Sequence, residues 1–159
     1  METAIREFAA QFEYEPIVEN ADALQQKQHF FVNGMGGSHL AAGMLLALYP
    51  SSPVMVRRYY GLPKVNPAWF EQSLSIASSF SGNTEEAVVA YDEAREKGYA
   101  IAAIATGGKL IERAKADGMP YVQLPDTGIQ PRSGLGFAFM GLMTLTGRDY
   151  LLGEAASLR

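Results

Sequence analysis

The sequence predicts an α/β fold, a three-layer α/β/α domain on a five-stranded parallel sheet flanked by helices. Three observations predict it. Several apolar segments of strand length lack polar alternation, the pattern of a sheet covered on both faces. Helix-forming stretches separate them, which implies βαβ units with right-handed crossovers. Two of the strands run straight into glycine- or serine-rich loops that open helices.

Taken in chain order, residues 3–13 read as an N-terminal helical arm. "HFFVN" (29–33) is the first strand, and the helix-forming run that follows its glycine loop ends at Pro50. "VMVRR" (54–58) is the second strand. "GLPKVNPAWF" (61–70) is the least regular segment and reads as a loop or short turn carrying Trp69, since prolines at 63 and 67 oppose a long helix. "LSIASSF" (74–80) is the third strand. The helix after it, "TEEAVVAYDEAREKG", is the clearest: Ala87, Tyr91 and Ala94 share a face, acids open it, and Lys97 and Gly98 close it. "AIAAIAT" (100–106) and "YVQLP" (121–125) complete the sheet, and "KLIERAKADG" between them ends on a glycine stop. The last helix, residues 134–145, is apolar nearly all round. Such a helix is buried or forms an interface, so a covering domain or a second subunit is expected there.

The totals narrow the function classes. A chain of 159 residues suits one domain with a single core. A net charge of −4 with one adjacent basic pair, Arg57 and Arg58, gives no electrostatic footprint for nucleic acid. There is no cysteine, hence no disulfide and no thiolate metal site. His39 lacks an acidic or histidine partner nearby in sequence and makes a poor metal ligand; His29, before a strand, is expected to face solvent. No metal and no cofactor are expected. The N-terminus lacks the apolar core of a signal peptide, and no apolar run reaches the ~20 residues that span a bilayer. The expectation is a cytoplasmic protein with no membrane partner.

The chemistry concentrates in loops. In "NGMGGS" (33–38) glycines free the backbone to approach a ligand, the following helix start attracts anions, and Ser38 adds a hydroxyl. A tight turn with close helix–strand packing fits the same residues. The string is neither a P-loop nor a dinucleotide fingerprint, which would need glycine where His39 stands. "SSFSGNTEE" (78–86) repeats the arrangement, with Ser79, Ser81, Asn83 and Thr84 around one glycine at a helix start. Capping explains two of these side chains; a phosphate, with several acceptor oxygens, explains all four. Glu85 and Glu86 complement the helix dipole in its first turn.

"GMGGS", "SFSGNTEE", "TGGKL" and "QPRSGLG", in this order and spacing, resemble the sugar isomerase (SIS) domain. More narrowly, they resemble the N-terminal half of bifunctional phosphoglucose/phosphomannose isomerases, from about residue 30 to residue 141. The resemblance implies that Ser79, Ser81 and Thr84 hold a sugar phosphate and that Gly37 and Ser38 line the sugar side. It gives Arg132 the stabilisation of an enediolate, in keeping with a preorganised cation aimed at developing negative charge. Lys109 faces either ligand or solvent. The implied substrates are glucose 6-phosphate, mannose 6-phosphate and fructose 6-phosphate.

Aldose–ketose isomerisation also needs a general base and a group that helps open the ring. The resembled family draws its glutamate base, a histidine and a lysine from a second SIS domain, the histidine usually across a dimer interface. That second half is expected to begin near "GRDYLLGEAASLR", where the chain stops. The chain is thus expected to be one SIS domain, a fragment or a free-standing half, completed by a homodimer partner or a second SIS domain. A sugar-phosphate-sensing module without catalysis is the alternative.

Overall fold

The computed structural model describes residues 8–148. Six strands form one sheet: β1 (Val18–Glu19), β2 (His29–Asn33), β3 (Val54–Arg57), β4 (Ser73–Ser78), β5 (Ile101–Ala105) and β6 (Tyr121–Gln123). The helices are α1 (Leu40–Leu48), α2 (Pro67–Glu71), α3 (Glu85–Glu96), α4 (Gly108–Asp117) and α5 (Leu135–Leu145). The sheet order is β1-β6-β5-β4-β2-β3. All pairings from β2 to β6 are parallel, and only β1 pairs antiparallel, with β6.

The α/β class and the five parallel strands match the sequence expectation. The sixth strand was not foreseen. Two residues between Pro16 and the left-handed Asn20 are too few for an alternation to register, and only the proximity of β6 makes them a strand. The irregular 61–70 segment also holds a helix. Pro67 stands in its first turn, where its fixed φ favours helix, and the Asn66 side chain accepts the Ala68 N–H at 3.0 Å.

The sheet splits the core in two. Phe30, Val32, Leu74, Ile76, Ala102 and Ile104 point to α1 and α5, while Phe31, Ala77, Ile101, Ala103 and Ala105 point to α3 and α4. Every residue of β4 is buried, three of them serines. Each serine is bonded: Ser73 to the Trp69 carbonyl, Ser75 to Asn33, Ser78 to the Ser38 carbonyl. Polar side chains persist at the sheet centre because their partners replace water.

The last helix does not need a partner to cover it. Gly136, Ala138, Phe139, Met140, Gly141, Leu142, Met143 and Leu145 of α5 are buried within the chain itself. Part of the cover is the N-terminal arm, described as a 3-10 helix over Ala9–Glu13, with residues 3–7 of the expected arm outside the described range. Phe12 meets Phe139 edge-on, and Tyr14 meets Phe137. Gln11, 5% exposed, accepts the Gly136 N–H at 2.9 Å and donates to the Ser133 carbonyl at 2.6 Å. A residue 125 positions away thus caps α5, which has no side-chain cap of its own. Intramolecular burial thus accounts for the apolar pattern of α5, which need not mark an interface.

Candidate functional site at the switch point of the sheet

Strand β2 lies between β3 and β4, and the chain departs from it in opposite directions along the sheet. In open parallel sheets ligands bind at this reversal, outside the carboxyl ends of the strands. The glycine loop follows β2 and the serine/threonine loop follows β4, so the two suspected loops flank that crevice.

The loops are stitched to one another. The Ser38 hydroxyl accepts the Phe80 N–H at 2.9 Å, and the Ser38 carbonyl accepts from the Ser78 hydroxyl at 3.0 Å. A Cβ at Gly34 would lie 2.9 Å from the Ser78 carbonyl oxygen, so glycine is what permits this approach. On the other side, the Phe80 carbonyl accepts both the amide and the hydroxyl of Thr106, each at 2.8 Å. The Gly82 carbonyl accepts the Leu110 N–H at 3.0 Å. Gly82 has φ of 72°, and a Cβ there would collide with the Gly107 carbonyl. The fourth loop joins from below α5: Gly37 packs on the backbone of Pro131 and Arg132, and Gly134 lies against the Phe80 ring. Four segments far apart in sequence therefore meet around Phe80.

Within the serine/threonine loop the four polar side chains divide. Ser79 is fully buried; its hydroxyl bonds to the Thr84 hydroxyl at 2.8 Å and accepts the Thr84 N–H at 3.3 Å. It braces the start of α3 and presents nothing to solvent. Ser38, 7% exposed, is likewise occupied in joining loops. Ser81 is exposed, accepts the Asn83 N–H at 3.2 Å and keeps a hydroxyl proton to donate. Asn83 donates to the Ser81 carbonyl and accepts the Lys109 N–H, each at 3.2 Å, so its amide spans two loops. Thr84, half-buried, stands at the N-cap position of α3 without a side-chain capping bond, and the first amides of α3 have no partners inside the helix. The polar surface left by this loop is therefore Ser81, Asn83, Thr84 and the α3 N-terminus, while Gly37 lies against the backbone of Arg132.

Arg132 is exposed, on a 3-10 turn over Pro131–Gly134, and makes no ion pair among the described residues. Its turn is held by Gln11 through Ser133 and by the contact with Gly37. The sequence contained no signal for Gln11 as an anchor of the arginine. It contained a weak one for Asn33, the polar residue that ends β2. Asn33 is 1% exposed and donates to Ser75 at 3.1 Å, tying together the two strands that bound the crevice.

The acids and the remaining bases fall as follows. Glu85 and Glu86 occupy the first turn of α3, and Glu85 accepts from the Tyr60 hydroxyl at 3.0 Å. Lys109 lines a groove between α3 and α4 with Asp92 and Arg113, which form an ion pair at 2.9 Å. His39 is held below the usual histidine range by burial and then by the Arg58 charge, against a backbone hydrogen bond at Gly36 that works the other way. Its Nδ1 has no hydrogen-bond partner among the described residues. His29, expected in solvent, is half-buried in β2 with its ring 5.7 Å from that of Trp69. Among the described residues no group of acids and histidines could hold a metal ion, and no helix is long and apolar enough to cross a membrane.

No protein-family model matches the chain. A bifunctional phosphoglucose/phosphomannose isomerase from Caldicellulosiruptor bescii is 43% identical over 117 residues, 72% of this chain and 33% of that protein. One from Aquifex aeolicus is 36% identical over 146 residues, 89% of this chain and 43% of that protein. The fold is shared with the sugar isomerase domain of an RpiR transcription factor from Sphaerobacter thermophilus. That similarity has a TM-score of 0.58 at 19% identity and covers 99% of this chain and 91% of the other. The chain spans a third to two-fifths of the curated relatives it matches. Its sheet order, its four converging loops and this similarity make it an SIS domain, homologous to part of the bifunctional phosphoglucose/phosphomannose isomerases.

Proposed function

We propose that this chain is the phosphosugar-binding SIS domain of an aldose–ketose isomerase that interconverts glucose 6-phosphate or mannose 6-phosphate with fructose 6-phosphate. The observation that carries the reading is the exposed Ser81–Thr84 turn at the switch point, with Arg132 brought beside the glycine loop. Ser81, Asn83, Thr84 and the first amides of α3 bind the phosphate, whose charge the helix dipole favours. Ser79 and Ser38 hold that cradle in shape. Gly37 leaves room for the sugar, and Arg132 stabilises the negative charge that grows on the enediolate oxygens.

The base that moves the proton between adjacent carbons is not among the residues assigned. Glu85 is engaged by Tyr60, and Glu86 belongs to the first turn of α3. In this proposal a second SIS domain or a partner subunit supplies the base, and this chain supplies positioning and charge stabilisation. General acid–base participation is worth about 10²–10⁴ in rate, so the chain alone binds sugar phosphate without measurable turnover.

The test joins calorimetry with fructose 6-phosphate to a coupled assay of glucose 6-phosphate isomerisation. Binding that Thr84→Val weakens about tenfold or more, without turnover, is the expected result. Equal affinity in both proteins removes the phosphate assignment. Robust turnover lost in Arg132→Ala places the base inside this chain.

A further inference from the structure

A second cavity, of about 340 Å³, opens beneath residues 60–67 and shares no residue with the two phosphate-facing loops. Its lining carries three cations: Arg57 from the end of β3, Lys64 from the loop, and Lys97 from the C-cap of α3. None of the three forms an ion pair among the described residues. Arg57 is the least free to find water. Its Nε is buried without a hydrogen-bond partner, and its guanidinium sits 5.5 Å from the centre of the Tyr59 ring.

The one carboxylate in the cavity, Glu93, is already committed. Its Oε2 accepts the Leu62 N–H at 2.8 Å, and Gly61, with φ of 67°, brings the chain onto it. A Cβ at Gly61 would lie 2.6 Å from Glu93 Oε1, so the loop is folded tightly against the acid. Three cations against one carboxylate leave an excess of two positive charges facing a partly apolar wall that includes Leu62 and Phe70. A guanidinium and two ammonium groups without counter-charges leave their donors to water, and an anion in the cavity replaces that water with charge-assisted hydrogen bonds.

We propose that this cavity is a second anion site, which takes a small molecule bearing a phosphate dianion. The dianion matches the excess of charge, Arg57 offers the fork geometry suited to phosphate oxygens, and the volume is that of a small-ligand pocket. The apolar wall receives the body of the ligand. The Arg57 carbonyl accepts the Gly34 N–H at 3.0 Å, which places the cavity one residue from the glycine loop.

The experiment is an amide NMR titration of the chain with inorganic phosphate, against sodium chloride at equal ionic strength. The amides of Leu62, Val65 and Tyr99 are expected to shift with phosphate beyond the chloride control. The double variant Lys64→Gln/Lys97→Gln, at two exposed positions, is expected to weaken that response about tenfold or more. Arg57→Gln should abolish it. Shifts equal to those in chloride, or a double variant that titrates as the wild type does, overturn the site. Shifts at Ser81–Thr84 report separately on the loop after β4; their absence counts against the proposed function and leaves this cavity standing.

Discussion

The loop after β2 and the loop after β4 occupy equivalent places, at the carboxyl ends of neighbouring parallel strands, yet they are built by opposite means. The first contributes backbone. Gly34 and Gly37 let it press against the Ser78 carbonyl and the Pro131–Arg132 backbone, and its single hydroxyl is spent on the Phe80 amide. The second contributes side chains, but only after one of them is sacrificed. Ser79 is buried to hold Thr84, while Ser81, two residues on, stays in solvent. A polar cluster at a helix start is therefore two things at once, a brace and a surface. Which serine does which depends on the direction each side chain takes as the strand ends.

The largest effect is expected where the loop after β4 meets the loop after β5 through backbone alone. Gly82→Ala forces a Cβ into the Gly107 carbonyl at a left-handed φ. Left-handed strain of about 1–2 kcal/mol and overpacking of about 1–3 kcal/mol should add to a large loss of stability. Urea denaturation measures it, and a wild-type midpoint would mean that the turn relaxes without cost.

The next effect separates the two serines. Ser79→Ala leaves the Thr84 N–H without its acceptor and the Thr84 hydroxyl without its donor, and should cost about 1–3 kcal/mol of stability. Ser81→Ala should leave stability within about 0.5 kcal/mol, as a surface change does, and instead weaken phosphate binding about tenfold. Denaturation and calorimetry on the same two variants distinguish them. If both lose stability equally, the division between brace and surface fails.

The smallest effect belongs to the glycine side. His39 has its folded pKa below the ordinary value of 6.5, so below that value the unfolded chain binds the extra proton more readily. The contribution is therefore full above about pH 6.5, falls as pH drops towards the lowered pKa, and changes no further below that. His39→Asn should flatten this part of the profile. An unchanged profile would mean that the burial around Nδ1 does not govern its titration.

Much of this protein was legible without tertiary contacts. Short apolar runs without alternation, helix stops at Gly98 and Gly118 and the two loops at strand ends are local features, and each depends on residues a few positions apart. The motifs named the candidate residues, although not their placement: nothing in "SSFSGNTEE" marks Ser79 as buried and Ser81 as open. The apolar pattern of α5 announced burial correctly and left open what would do the burying.

The sequence by itself determined the layer order of the chain, the glycine- and serine-rich loops at the strand ends and the residue types gathered there. Tertiary structure alone decided which of those residues stay exposed and which are buried. It set β1 against β6, turned the N-terminal arm onto α5, and made Gln11 the cap of a helix 125 positions away and an anchor of the turn that carries Arg132. The physical reason is the same in each case. A hydrogen bond or an apolar contact between distant segments leaves no periodicity in either one, so it exists only once the sheet has brought them together.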